Sequence, residues 1–378
     1  MSTRPHPDWQ RGAVNGVVLA VILFALSITL CYLATTMPRL ASLSEALELH
    51  PWFKSRNWML AALVGIIGGG AFAVILAFRP SSHPDQPLIS TAFKRSLIYL
   101  GLAFGFLVWD IGRRTWKPER ILETAHFKVH STASPEATKT VGDAVEALHA
   151  AYVGFFESTN EITTPFRMKL FRDREEFRFA NRIDDWAEAF YLKPFCYAYY
   201  DGEQDNPHHW MLHEATHQLN WELSRFELKE WLEEGIACYF GASQLKGGRL
   251  HAGTIDETAY PVWWLKDLKL TGKLQDDIAA DQVIPLQTII TGQGGPPKNR
   301  EFNRYYVHWW TLVHFLFEYD NQIHRGPTLK LIQDGGNLEQ FERHLGSVED
   351  FQREWYGYVI FLQSRDLQKT QPQGMRNR

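Results

Sequence analysis

Two histidines four residues apart, with a glutamate beside the first, occur in the stretch HEATH, residues 213–217. On a helix this spacing is one turn, so the imidazoles of His213 and His217 project from the same face and can reach one metal ion. Glu214 can point at a water molecule on that ion and act as a general base. The three residues predict a hydrolytic zinc site, although a five-residue pattern alone is a weak signal.

A catalytic zinc site needs three protein ligands and one open position for water. The histidine helix therefore requires a ligand from a facing element, and ELKEWLEEGIACYF (residues 227–240) supplies a second helix with carboxylates near its start. The connection between the two helices is short, which predicts that they pack antiparallel. Glu233 and Glu234 are neighbours whose side chains point about 100° apart, so we expect only one to face the histidines. Spacing alone leaves the choice open, with Glu234 favoured.

The residues ahead of this site predict a small sheet covered by helices. HFKVHS (126–131), FRMKLFRD (166–173) and PFCYAYYDG (194–202) are typical of strands, and an Asp-Gly turn closes the last. Residues 135–159 carry apolar side chains at helical spacing after a Ser-Pro start, and REEFRFANR (174–182) is a shorter helix. This order of strands and helices predicts an α+β fold.

The chain after the site is predicted to be mostly helical. Apolar spacing predicts helices at residues 303–320, 337–346 and 347–365. The last of them begins with a Ser-x-x-Asp capping pattern. The glycines and prolines of TGQGGPPKNREFN (291–303) indicate an exposed loop. We therefore place a folded domain at residues 116–365 and a disordered polar tail at 366–378.

HEATH followed by WLEEGIA resembles the gluzincin metallopeptidases, in which HExxH precedes a W-L-x-E-G-x-A run whose second acidic position is the third zinc ligand. The aminopeptidase N family has this arrangement. A closer likeness is to the bacterial peptidase MA-like families of unknown function, which share the strand, helix, strand lead-in and the late W-x-x-Y helix. The likeness covers residues 127–362 and implies a zincin-like (thermolysin-like) fold with a small sheet and a mostly helical second half.

The resemblance also implies what the site residues do. It makes one Zn²⁺ per chain the cofactor, with His213, His217 and Glu234 as its ligands and Glu214 as the base. Glu233 becomes a neighbour without an assigned role. The expected reaction is the hydrolysis of a peptide bond, with a peptide or protein as substrate.

A tyrosine downstream is implied by the same resemblance. Aminopeptidase N-like enzymes carry it at the start of a helix reading Y-x-x-G-x-x-x-x-x-x-L, where its hydroxyl stabilises the tetrahedral intermediate. YVHWWTLVHFL matches that pattern in register, which makes Tyr306 the candidate and Tyr305 the alternative. Trp309 stands where the pattern has glycine. The other interpretation is an aromatic residue packed on a helix surface.

Cys238 is a second departure from the resemblance. It lies four residues beyond Glu234, where many relatives carry an acidic residue that can orient a ligand histidine. A thiol gives weaker support, which affects the strength of metal binding or the rate rather than the identity of the ligands. The alternative function is therefore a catalytically weak or inactive zincin-fold domain that binds or scaffolds a partner. We expect Cys196 and Cys238 to be buried thiols rather than a disulfide.

The remaining histidines are interpreted without a role in the chemistry. His308 and His314 lie on the aromatic helix and are expected to be core histidines with satisfied hydrogen bonds. His208 and His209 follow Asn206-Pro207 and are expected in a surface loop.

Ahead of the domain, the chain carries apolar runs that predict membrane helices. Those at residues 13–36 and 57–78 exceed the roughly 18 residues that span a hydrocarbon core about 30 Å thick. A third, at 96–112, is shorter and carries Asp110, so the sequence predicts two or three membrane helices, and residues 1–12 form an N-terminal tail. We expect a multi-pass integral membrane protein in contact with lipid, in the bacterial cytoplasmic membrane on the resemblance. The distribution of Lys and Arg leaves the side of the catalytic domain open.

The net charge and the polar residues after HEATH argue against two other classes of function. The formal net charge of −4, without a basic cluster, argues against a nucleic-acid partner. An intramembrane protease would place its motif in lipid, where the polar residues after HEATH cannot sit. These residues are Asn220, Glu222, Arg225, Glu227, Lys229 and Glu230. The sequence does not define an oligomeric state.

Overall fold

The computed structural model describes residues 116–160, 162, 164–181 and 187–370, with side chains as far as residue 365. The predicted membrane helices, residues 13–36, 57–78 and 96–112, lie outside the described residues, as do residues 371–378. Among the helices that are described, none combines the length and apolar character needed to cross a bilayer.

Contacts divide the chain into two units. One consists of Met1–Lys117 and Arg178–Trp186, and the other of Pro118–Phe177 and Ala187–Arg378. The second unit contains the sheet, the HEATH helix and all the predicted site residues.

A five-stranded mixed sheet forms the first half of this second unit. Its strands are β1 (Arg120–Glu123), β2 (Phe127–Ser131), β3 (Phe166–Phe171), β4 (Ala189–Leu192) and β5 (Phe195–Tyr199). They lie in the order β1-β2-β3-β5-β4, with the inner three parallel and the two edge strands antiparallel to their neighbours. The predicted α+β class and the three predicted strands are confirmed. The edge strands, RILE and AFYL, were not predicted because neither alternates between polar and apolar residues.

Helices α1 (Pro135–Phe156) and α2 (Arg174–Asn181) follow β2 and β3. The Ser134 hydroxyl accepts a hydrogen bond from the backbone N–H of Ala137, and Pro135 occupies the first turn, where its missing N–H costs nothing. Glu157 ends α1 in the left-handed conformation. The predicted Ser-Pro start is confirmed, and α1 packs on β2, where its apolar face is buried.

The two helices of the motif are α3 (His209–Gln218) and α4 (Glu230–Gly241). A π-helical turn, Leu219–Ser224, continues α3 and ends at Arg225, whose φ of 56° breaks the helix. Four further residues then lead to the start of α4. Helix α3 packs on β5 and β4, so the site lies at the β4 side of the sheet.

A two-stranded hairpin, β6 (Ser243–Lys246) and β7 (Arg249–Ile255), follows α4. Gly247 and Gly248 form its turn with φ values of 60° and 73°, which non-glycine residues rarely adopt. The prediction of a mostly helical second half omitted this hairpin, although the Gly-Gly pair between two short runs was a turn signal.

The rest of the chain is helical. Its elements are the 3₁₀ segments Val262–Asp267 and Tyr319–Gln322, and the helices α5 (Leu274–Ala279), α6 (Leu286–Thr291), α7 (Phe302–Glu318), α8 (Arg325–Asp334), α9 (Leu338–Leu345) and α10 (Val348–Thr370). The predicted helices α7, α9 and α10 are confirmed. Helix α7 buries Trp310, Phe315 and Phe317 completely or almost so and packs against α4. It therefore forms the centre of the core behind the site.

Candidate metal centre

The predicted antiparallel packing of α3 and α4 is confirmed by their contacts. Glu233, early in α4, contacts His217, late in α3. At the opposite ends, a Cβ on Gly241 would lie 3.1 Å from both the His209 carbonyl oxygen and the His213 Cβ. Glycine at position 241 thus lets the end of α4 approach the first histidine of the motif closely.

Helix α4 also lies close to α7, which it contacts at Gly235. A Cβ on Gly235 would lie 2.9 Å from the carbonyl oxygen of Trp309 and closer still to the Val313 side chain, a separation that real Cβ atoms essentially never show. Only glycine permits this approach. The backbone of α4 is therefore held against α7 at the residue that follows Glu234.

Three predicted ligand atoms meet between α3 and α4. The Nε2 atoms of His213 and His217 are 3.2 Å apart, and Glu234 Oε2 lies 3.3 Å from the first and 3.6 Å from the second. Ligands about 2.0 to 2.1 Å from a tetrahedral zinc ion are separated by about 3.3 Å. The triangle of atoms thus has the dimensions of one face of a zinc tetrahedron, and the donor set is that of a His₂Glu catalytic site.

The triangle sets a buried carboxylate against two imidazoles of the motif helix. Glu234 Oε2 is buried, and it makes ion-pair contacts to the two imidazoles rather than a hydrogen bond. Burial opposes ionisation of Glu234, but the charges of His217 and His213 outweigh it and lower the pKa of this carboxyl well below its ordinary range. Burial likewise opposes the charged form of His217, yet Glu234 and Glu233 raise its pKa well above the ordinary value. A divalent ion would supply this positive charge and leave both imidazoles neutral.

The second nitrogen of each imidazole also has a partner. His217 Nδ1 lies 3.3 Å from Glu233 Oε1, and that oxygen accepts a hydrogen bond of 2.9 Å from the indole of Trp221. His213 Nδ1 lies 3.6 Å from Cys238 Sγ. A hydrogen bond donated from Nδ1 leaves the lone pair of Nε2 for the metal.

The expectation that only one of the two glutamates faces the histidines is wrong. Glu233 and Glu234 both reach His217, one at each ring nitrogen. An imidazole presents its two nitrogens in different directions, so side chains about 100° apart on α4 can contact the same ring. Glu233 therefore has a contact that neither its spacing nor the resemblance assigned.

Glu214 is half-buried and lies beside the two histidines. Each of His213, Glu214 and His217 offers one possible ligand atom, and these three atoms lie within 4.8 Å of one another. The backbone N–H of Tyr191, on the edge strand β4, donates a hydrogen bond of 2.8 Å to Glu214 Oε2. Tyr191 was not predicted from the sequence, because its contact with Glu214 depends on how β4 packs against α3.

Tyr306, rather than Tyr305, faces the candidate metal centre. Its ring centroid is 6.1 Å from that of His213, and burial together with the charge of Glu234 raises the pKa of its phenol well above the ordinary value. The Tyr305 hydroxyl instead donates a hydrogen bond to the carbonyl of Pro296. Trp309, at the glycine position of the family pattern, packs on Tyr306 with ring centroids 5.0 Å apart.

Tyr260 joins this group and was missed from the sequence. Its ring lies 5.3 Å from that of Tyr306, and burial with the nearby Cys238 and Glu234 raises the pKa of its hydroxyl. It belongs to the segment between β7 and the first 3₁₀ turn, about 45 residues from the HEATH helix, and no local pattern marks it.

The other predicted residues are placed as follows. Cys196 and Cys238 are buried free thiols, as expected. His308 and His314 are buried and hydrogen-bonded at both ring nitrogens, which confirms their interpretation as core histidines. The expectation of a surface loop is wrong for His209, which is buried at the first turn of α3 with its Nδ1 2.6 Å from the Asn206 carbonyl oxygen.

The comparisons with known proteins add no relative. No protein-family model matches the chain, and neither a curated protein nor a solved structure matches it.

Proposed function

We propose that this chain is a membrane-anchored zinc metallopeptidase with a zincin-like fold that hydrolyses peptide bonds. The observation that carries the proposal is the triangle of His213 Nε2, His217 Nε2 and Glu234 Oε2, whose sides of 3.2 to 3.6 Å match a tetrahedral zinc site. The burial of Glu234 Oε2 supports it, because a buried carboxylate is costly unless positive charge lies beside it.

The chain's own residues have separate roles in this proposal. His213, His217 and Glu234 would hold a zinc ion, which would supply Lewis acidity to the scissile carbonyl and to a water molecule. Glu214 takes the proton of the attacking water and delivers it to the leaving amine. The Tyr191 N–H holds one oxygen of Glu214 and leaves the other free for that transfer. The Tyr306 hydroxyl, kept protonated by burial, donates a hydrogen bond to the oxyanion.

The membrane anchor is proposed from the sequence. The apolar runs at residues 13–36 and 57–78 are each long enough to cross a bilayer. The candidate metal centre lies far along the chain from them, and the connection between its two helices carries Glu222, Arg225, Glu227 and Lys229. A peptide or protein segment outside the hydrocarbon layer is the corresponding substrate.

The direct test of the reaction is the Glu214→Gln variant of the full chain, assayed against a peptide library. We expect the zinc content to stay the same and turnover to fall by about 10² to 10⁴-fold, because the amide cannot accept the proton. Glu227→Gln is the matched control, since Glu227 is an exposed carboxylate between α3 and α4. Hydrolysis by Glu214→Gln at the rate of the parent would refute the assignment.

Cys238 favours one alternative, a zincin-fold domain that binds a partner without turnover. Its thiol occupies the place next to His213 Nδ1 where a carboxylate would hold the imidazole more firmly. The same assay separates the two functions. A parent protein that binds zinc at the candidate centre and cleaves no peptide would support the binding domain.

A further inference from the structure

A second group of metal-ligating side chains lies at the other edge of the sheet. His126 ends the turn between β1 and β2, and Glu146 and His149 are three residues apart on one face of α1. One ligand atom of each residue lies within 4.8 Å of the others. The group is separate from the candidate metal centre, whose helix α3 packs on β4 and β5.

The carboxylate of Glu146 is fixed by protein groups. Its Oε1 accepts hydrogen bonds from the Thr124 hydroxyl at 2.5 Å and from the backbone N–H of His126 at 2.7 Å. Its Oε2 lies 2.7 Å from His126 Nδ1. Burial opposes ionisation, but the hydrogen bonds from His126 and Thr124 outweigh it and lower the pKa of Glu146. The group therefore presents an anionic oxygen at neutral pH.

His149 supplies a ring nitrogen that makes no hydrogen bond within the described residues. The residue is 8% exposed, and its Nε2 is buried without a hydrogen-bond partner within the described residues. Leaving such a nitrogen unpaired is destabilising, because it has lost its hydrogen bond to water without a replacement. Burial, with a smaller effect of His126, lowers the pKa of His149 to about 4, so its imidazole is neutral at physiological pH. A neutral imidazole is the form that binds a metal.

Space is available beside the two imidazoles. A cavity of about 460 Å³ is lined by His126 and His149, together with Val153, Asn160 and neighbouring residues. It is large enough for an ion and the water molecules that would complete its coordination. The two rings stack with centroids 3.8 Å apart and planes 18° apart, so one ring must tilt before both nitrogens point at the same ion. His126 is the ring with room to do so, since its side chain is 38% exposed.

We propose that His126, Glu146 and His149 form a second divalent-metal site that takes a borderline transition-metal ion such as Zn²⁺. Two imidazoles and a carboxylate suit this class of ion. Binding replaces the 2.7 Å contact between His126 and Glu146 by ligand separations of about 3.3 Å and ties the β1–β2 turn to α1. Because this rearrangement is required, the second site binds zinc more weakly than the candidate metal centre, which needs none.

The site is tested by zinc titration of the full chain in detergent after removal of metal with a chelator. A His213→Ala/His217→Ala background removes two ligands of the candidate metal centre. The proposal predicts that this background still binds about one zinc ion per chain and that His149→Gln, added to it, abolishes the binding. His251→Gln is the control, because His251 is an exposed histidine on β7. It should leave the zinc stoichiometry of the background unchanged.

A second variant distinguishes the loss of a metal ligand from misfolding. Glu146→Gln keeps an oxygen for Thr124 and for the His126 N–H but removes the anionic ligand, so it should fold and bind zinc at least about 10-fold more weakly. Zn²⁺ should raise the melting temperature of the background and not that of the background with Glu146→Gln. A folded background that binds no zinc, or zinc binding unaffected by either substitution, would overturn the proposal.

Discussion

His217 sits between two carboxylates, and each contacts a different nitrogen of its ring. Glu234 lies at the nitrogen that faces the metal triangle, whereas Glu233 holds the opposite nitrogen and is itself held by the Trp221 indole. His213 has the thiol of Cys238 in the equivalent place. The two ligand histidines are thus supported unequally, with a charged acceptor on one and a weak acceptor on the other.

The Glu233→Gln variant tests this support. The amide keeps the size of the side chain but removes its charge from His217, so we expect zinc affinity to fall about 10 to 100-fold while the protein stays folded. Competition with a chromophoric chelator measures the affinity. Glu227→Gln is again the control, and equal affinities for the two variants would show that Glu233 does not support the ligand.

At this scale the sequence predicted the residues that share one local pattern. The spacing of HEATH identified His213, Glu214 and His217, and the structure places Glu234 beside them. Tyr191 and Tyr260 escaped prediction because their positions depend on how β4 and the segment after β7 pack on the site. No period or spacing along the chain records such contacts between distant segments.

Helix α4 is the element that completes the site, and glycines set its position. Gly241 brings it against α3, and Gly235 brings it against the Trp309 carbonyl of α7. Gly235 directly follows Glu234, and its close approach to Trp309 and Val313 is a tertiary contact that no local sequence pattern records. The edge strands β1 and β4 were missed because their sequences, RILE and AFYL, do not alternate between polar and apolar residues.

Gly235→Ala tests the position of α4. The added methyl group would lie 2.9 Å from a backbone oxygen, which cannot move alone, so the helix must shift. We expect a loss of about 1 to 3 kcal/mol in the free energy of unfolding and weaker zinc binding, both measurable by denaturant titration with and without zinc.

Gly154→Ala is the matched control for that variant. A Cβ at this exposed helical glycine of α1 would meet nothing within 4 Å. Alanine should therefore stabilise the protein by up to about 1 kcal/mol and leave zinc affinity unchanged. If Gly235→Ala behaved like Gly154→Ala, the close approach of α4 and α7 would be refuted.

At the scale of the whole second unit, the fold keeps two buried histidines neutral. Burial lowers the pKa values of His308 and His314 to about 4 each. His308 Nε2 accepts a hydrogen bond from the N–H of Ile284, and its Nδ1 donates to the Arg304 carbonyl oxygen. Protonation would turn an acceptor into a donor facing another donor, so the folded protein resists it.

These histidines make the protein sensitive to acid. Between pH 6.5 and about 4 the unfolded chain binds protons that the folded chain excludes, so the free energy of unfolding falls as the pH falls. Each histidine contributes a slope of up to about 1.4 kcal/mol per pH unit. Above pH 6.5 this contribution is complete and constant.

His308→Gln should reduce that slope by about one histidine's share, whatever its effect on stability at pH 7. Denaturant unfolding at several values between pH 7 and 4.5 measures the slope. His251→Gln, at an exposed position, should leave it unchanged. A slope in His308→Gln equal to that of the parent would show that His308 is not kept neutral by the fold.

We propose that His213, His217 and Glu234 hold one zinc ion. The most direct test is an anomalous difference map, recorded at the zinc edge from crystals of the full chain. We predict a peak within about 2.0 to 2.2 Å of His213 Nε2, His217 Nε2 and Glu234 Oε2. A zinc-loaded protein with no peak between α3 and α4, or with the ion bonded to the sulfur of Cys238 instead of Glu234, would contradict it.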